Sequence, residues 1–144
     1  MSAMSNFLEN KLVDHIFRGQ TFALPATIYV GLFLSDPGEG TPSGEITGNG
    51  YARAQLSPTL ANWAGTQGAG TTAASSGTGG ATSNNSVITF PTPSATWGSV
   101  AYFAIFDAAS GGNMLIKGPL TGNKTVNQGD TVTFPAGQLQ ITFD

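Results

Sequence analysis

One stretch of the chain carries a helical period. Leu8, Leu12 and Ile16 fall at i, i+4 and i+8 with Val13 beside them, which predicts a helix with one apolar stripe. Asn6, with Glu9 three residues on, is expected to cap its start. Arg18 lies in the last turn at the negative end of the dipole, and Gly19 supplies a left-handed stop. Downstream the period changes to two, or to unbroken apolar runs punctuated by turn residues. Residues 26–34 are apolar on both faces, as in a strand covered on both sides, and Asp36-Pro37-Gly38 ends them. Residues 51–56 alternate around Arg53, residues 87–90 form a short run closed by Pro91 and Pro93, and residues 100–106 read as a second doubly apolar strand. The turn at 109–113 leads into residues 114–117, predicting a hairpin. The carboxyl end repeats that logic: residues 131–134, a Pro135-Ala136-Gly137 turn, then residues 138–143. Leu139, Ile141 and Phe143 share one face of that last strand, and uncharged Gln138, Gln140 and Thr142 the other.

Many short strands and a single helix predict a mainly β fold, an antiparallel β-sandwich or flattened barrel with one N-terminal α-helix. At 144 residues, one β-rich domain spanning 1–144 is expected. Residues 64–86 are almost wholly Gly, Ala, Ser, Thr, Gln and Asn, without charge or a large apolar side chain. They predict a flexible Gly/Ser/Thr-rich loop, of a kind that orders on docking against a partner or another copy.

Charge changes the picture. Only 9% of residues are charged, against about 25% in an average soluble domain. The surface must therefore be built from hydroxyls, amides and glycine, which are buried between subunits at a far smaller desolvation penalty than ions. Assembly is the expected consequence. The net charge is −3, and the five basic residues Lys11, Arg18, Arg53, Lys117 and Lys124 are scattered, so direct contact with nucleic acid is disfavoured. No cysteine is present, which removes disulfides, thiolate metal sites and thiol nucleophiles. No apolar run approaches the roughly 18 residues that span a bilayer, and the first residues lack a secretory pattern, so no membrane partner and synthesis in a host cytosol are expected. Asn84-Asn85-Ser86 and Asn123-Lys124-Thr125 then read as chance glycosylation matches.

Candidate chemistry is sparse. His15 is the only histidine, Asp14 beside it points to a different helix face, and no Gly-x-Ser-x-Gly elbow occurs. Asp36, Glu39 and Glu45 share a Pro/Gly-rich loop, but their spacing fails the EF-hand pattern and they read as turn carboxylates, as do Asp107 and Asp130. Residues 65–70 are glycine-rich yet lack the Gly-Lys-Ser or Gly-Lys-Thr ending of a phosphate loop. Tyr29, Phe33, Phe90, Tyr102, Phe103 and Phe106 lie in apolar strands and are assigned to the core. Trp63 and Trp97, beside loop residues, stay as candidates for a recognition platform. No catalytic residue, metal site, cofactor or small-molecule substrate is expected.

Residues 7–18 (FLENKLVDHIFR), 25–33 (PATIYVGLF), 50–53 (GYAR), 85–91 (NSVITFP), 95–98 (ATWG), 106–113 (FDAASGGN) and 135–139 (PAGQL), taken in order, resemble a family of small tailed-phage structural proteins. The resemblance covers almost the whole chain except residues 65–82. Members are labelled either as head decoration (cement) proteins or as tail fibre proteins, with no catalytic residues to carry over. The resemblance implies a non-enzymatic virion component. Small size and lack of charge, with neither heptads nor repeats, favour a cement protein on the outer head, a trimer bridging subunits of the major capsid protein. A tail fibre, tip or baseplate component is the alternative, and a small hydrolase using His15 or the Asp36 and Glu45 loop the remote one. Phe7, Lys11, His15, Arg18, Arg53, Trp63 and Trp97 are the expected interface residues.

Overall fold

The computed structural model describes residues 1–143. In chain order its elements are β1 (Ala3–Met4), α1 (Asn6–Phe17), β2 (Ile28–Phe33), β3 (Ala54–Leu56), β4 (Ala81–Ser83), β5 (Ile88–Thr89), β6 (Gly98–Phe106), β7 (Met114–Val126), β8 (Thr133–Phe134) and β9 (Gln140–Thr142). Five strands form an antiparallel sheet in the order β1-β7-β6-β2-β3, and two short ribbons pair β4 with β9 and β5 with β8. The sheet and ribbons pack as a sandwich with one N-terminal helix, without closing into a barrel.

Alternation along β2 and β6 makes two cores. Val30, Leu32, Phe103 and Ile105 point toward the ribbons and meet Ile88, Phe90, Leu139 and Ile141. Phe33, Ala104, Phe106 and Met114 cluster on the opposite face. Both faces of the two central strands are thus dry, as their unbroken apolar runs require, and each large side chain so buried contributes about 1.5–3 kcal/mol. The chain between β2 and β3 folds along the sheet, where Glu45 bridges to Phe33, Ile46 N–H donates to the Leu32 carbonyl at 3.1 Å, and Pro37 is fully buried.

The expected hairpin between β6 and β7 is present, with Asp107 capping its loop through Asn113, but β7 runs on to Val126. Other expectations need correction. The helix is capped by Ser5, not by Asn6 with Glu9: Ser5 is extended and its Oγ accepts the Leu8 N–H at 3.2 Å. Ser5 also donates through its hydroxyl to the Met114 carbonyl and through its N–H to Leu115 at 2.9 Å, tying the start of α1 to the sheet. The apolar stripe is consequently buried at one end only. Leu8 is buried and Leu12 half-buried, whereas Val13 and Ile16 face outward. The stop at Gly19, with φ of 68°, is as expected.

Strands β8 and β9 do not pair with each other. Pro135-Ala136-Gly137 does turn, but Ile88 sits opposite Phe134 and Thr82 opposite Ile141. Between the two diverging strands lies Asn84, fully buried. Its Nδ2 donates to the carbonyls of Ser86, Phe134 and Pro135, and its Oδ1 accepts the Leu139 N–H at 2.9 Å. One amide side chain thus supplies the bonds a hairpin ladder would have made. That burial removes Asn84 as a glycosylation acceptor. The 64–86 segment contributes β4, and its outer part is held by its own polar groups: Gly65 N–H to Thr71 Oγ1 at 3.0 Å, Thr66 Oγ1 to Ser76 O at 2.8 Å, and Gln67 Nε2 to Ala74 O at 2.6 Å.

Candidate functional site

The strongest concentration of charge lies on the second face of the sheet. Glu45 and Arg53 meet beside β2 at Gly31, where the missing side chain lets them approach closely: a Cβ there would lie 3.0 Å from Glu45 Oε1 and 3.2 Å from Phe106 Cε2. Arg53 grips Glu45 with both arms of its fork, Nε to Oε1 and Nη2 to Oε2 at 2.7 Å each. Its Nη1 donates to the carbonyls of Ala108 and Gly111, both at 2.9 Å, and its guanidinium lies 3.4 Å above the Phe106 ring. Tyr51 donates to Glu45 Oε1 at 3.0 Å and accepts the Leu32 N–H at 2.9 Å. Burial, with the Glu45 carboxylate adding to it, pushes the Tyr51 phenol far above its ordinary range. Four of the five Arg53 N–H donors and both Glu45 carboxylate oxygens are engaged in pinning the β6–β7 loop and the chain ahead of β3 to the sheet, so the cluster holds structure together.

The remaining carboxylates disperse. Asp36 bonds Lys117 at 2.6 Å, and that ammonium, helped by the Gly38 N–H, holds its carboxyl below the usual range. Asp14 pairs with Arg18 at 3.1 Å along the helix, and Asp130 caps the turn at Asn127. The Asp36, Glu39 and Glu45 loop makes no shared cation site, and no group of three potential metal ligands occurs among the described residues. His15 accepts the Phe22 N–H on Nδ1 at 3.2 Å, which fastens the segment after the helix rather than facing a cleft.

The residues expected at an interface separate into three groups. Lys11 and His15 on α1 and Arg18 at its C-cap are exposed, with Phe7 half-buried edge-on to Phe22 at 6.4 Å. Arg53 and Trp97 are inside: the Arg53 side chain is 6% exposed, and Trp97 is buried, donating from Nε1 to the Asn49 carbonyl at 2.9 Å and packing edge-on to Tyr51. Neither side chain is available to a partner in this conformation. Trp63 is half-buried against an open apolar cleft of about 400 Å³ lined by Ile28, Leu60, Ile105, Ile141 and Phe143, and its Nε1 is buried without a hydrogen-bond partner.

The structure adds what the helical period pointed away from. Val13, Ile16 and Phe17 stand at i, i+3 and i+4 on one outward face of α1, Ile16 64% and Phe17 79% exposed. These side chains leave an apolar surface of α1 uncovered by the rest of the chain. The same periodicity that signals a helix cannot say which of its turns the sheet covers, so the sequence put Val13 and Ile16 on one apolar stripe with Leu8 and Leu12 and did not single out Phe17.

Residues 3–142 match a protein-family model described as Podophage GP4 fiber I protein gp80. No curated protein matches the chain.

Proposed function

The chain belongs to the Podophage GP4 fiber I protein gp80 family, and from that membership we propose that it is a fibre component of a phage tail that works by docking rather than by chemistry. The observation that carries this reading is the extent of the match. Residues 3–142 take in the helix, the five-stranded sheet and both ribbons, so the likeness is to the whole fold rather than to a fragment. The family description favours the tail over the head, and a cement role on the capsid loses its first place.

The physical chemistry supports a docking role. Asp14, Asp36 and Glu45 are held in ion pairs and Asp107 and Asp130 in turn caps, while an apolar helix face stays uncovered. In this reading the Val13, Ile16 and Phe17 face packs against a second copy of the chain within a homo-oligomer, with Lys11, His15 and Arg18 around it.

Antibody labelling and cryo-EM of purified virions test the placement. Density confined to the tail vertex is the expected result. Hundreds of copies spread over the shell would restore the cement reading, and absence from virions would overturn both.

A further inference from the structure

Between the outer half of β7 and the β8–β9 turn lies a second cleft, of about 700 Å³, within the size range of ligand pockets. Its first wall exists because β7 swells. The register jumps from Tyr102 opposite Pro119 to Val100 opposite Lys124, so residues 120–123 face Ala101 alone and the strand bows outward with Thr121 and Lys124 on the cleft. The second wall carries Thr133, Gln138 and Gln140.

The second wall and the floor are fixed by the fold. Asn84 clamps the Phe134 and Pro135 carbonyls and the Leu139 N–H from behind the second wall. On the floor, Phe103 lies so close beneath Gly118 that a Cβ there would fall 2.8 Å from its ring, and it packs edge-on to Phe134 at 6.5 Å. A preformed cleft loses little conformational entropy when it is filled.

The lining selects a chemistry. Among the described residues Lys124 is its only ionisable side chain and no carboxylate lines it, which disfavours cations, and a single ammonium is too little for a nucleic-acid backbone. Two carboxamides and two hydroxyls present donors and acceptors together, as vicinal hydroxyls do, beside the C–H surfaces of Pro119, Phe134 and Pro135. Asn49, Asn62, Asn84 and Asn85 all spend their amides on the chain's own carbonyls. Gln138, Gln140, Thr121, Thr133 and Lys124 have no such side-chain bond among the described residues. We propose that this cleft binds a saccharide, a short hydroxyl-rich glycan segment that is neutral or carries one acidic group placed at Lys124. The inference rests on the fibre reading, which presents the chain to a cell surface.

The test is an array of neutral and acidic bacterial-surface oligosaccharides probed with the full chain, biotinylated and tetramerised on streptavidin. Binding to at least one saccharide is expected, falling at least tenfold in the Gln138→Ala/Gln140→Ala double variant. Thr121→Trp, which fills the cleft from the opposite wall, should block it as well, with melting curves showing that both variants fold. Lys124→Ala should weaken any acidic saccharide more than any neutral one. A silent array, or binding that survives both cleft variants, would overturn the proposal. Virion labelling keeps the two ideas apart: tail density with a silent array refutes the cleft alone, whereas cleft-dependent binding by a chain located on the shell refutes the fibre placement alone.

Discussion

Replacing Glu45 by alanine should destabilise the protein more than replacing Glu45 and Arg53 together. In the single variant the Arg53 guanidinium remains, 6% exposed, having lost its two 2.7 Å bonds, and Tyr51 loses its acceptor. Breaking a buried pair from one side costs about 3–5 kcal/mol, because the survivor keeps its desolvation penalty without its counter-charge. Glu45 is 21% exposed, so some water reaches the gap and about 3 kcal/mol is the expected figure. For a chain of this size that corresponds to a fall in Tm of about 10 °C. Arg53→Met with Glu45→Ala removes both charges and leaves an unbranched stem over the Phe106 ring, so the double variant should recover part of the loss. Urea unfolding of the wild type, both single variants and the double variant gives the cycle, with an expected coupling of about 2 kcal/mol. If Glu45→Ala costs under about 1 kcal/mol, the value of a surface ion pair, or if the two changes simply add, the account of this cluster as a largely buried, multiply bonded pin is wrong.

Asn84→Ala should cost at least about 2 kcal/mol by orphaning several backbone groups at once, and hydrogen exchange at Leu139 should accelerate before exchange in β6 does; equal acceleration everywhere would refute a local clamp. Asp36 has a folded pKa below its unfolded one, so its pair with Lys117 stabilises above the ordinary carboxylate range and that contribution is lost as pH falls through the depressed value. Asp36→Asn should flatten the acid limb of the stability profile below about pH 4 and leave neutral pH nearly unchanged, since the carboxylate is about half exposed. Tyr51 has the opposite sign: its raised pKa gives stability that is complete below about pH 10 and lost as pH rises beyond, so Tyr51→Phe should flatten the alkaline limb. Ile16→Ser with Phe17→Ser should shift monomer stability by no more than about 0.5 kcal/mol, yet abolish self-association in native mass spectrometry and incorporation into virions; a large fall in Tm would mean that the face is covered within the chain.

Local chemistry was legible from the residues alone. A 3.6-residue apolar period and a glycine stop specify α1, and unbroken apolar runs specify β2 and β6 as strands dry on both faces, because periodicity and φ preferences act within a few residues. The ordered segments that resemble phage structural proteins were legible too, and they foretold the family. Ser5 was missed as the cap since Asn6 offers the same chemistry one residue later; the backbone conformation at Ser5 decides between them.

What the sequence left open depends on contacts between residues far apart in the chain. Whether β8 and β9 pair with each other or with β5 and β4 turns on Asn84, about fifty residues upstream, and nothing near Pro135 announces it. Trp97, beside loop residues, reads as a recognition candidate and Arg53, in an alternating strand, as an interface residue. Only packing against Phe106 and Tyr51 places them inside. The cleft at Lys124 needs a register jump in β7 and a turn brought over Phe103, and the uncovered face of α1 follows from where Ser5 fastens the helix to the sheet. A short-range pattern fixes which surfaces of an element are apolar, but which of those surfaces lose their water is decided by the other elements that arrive against them.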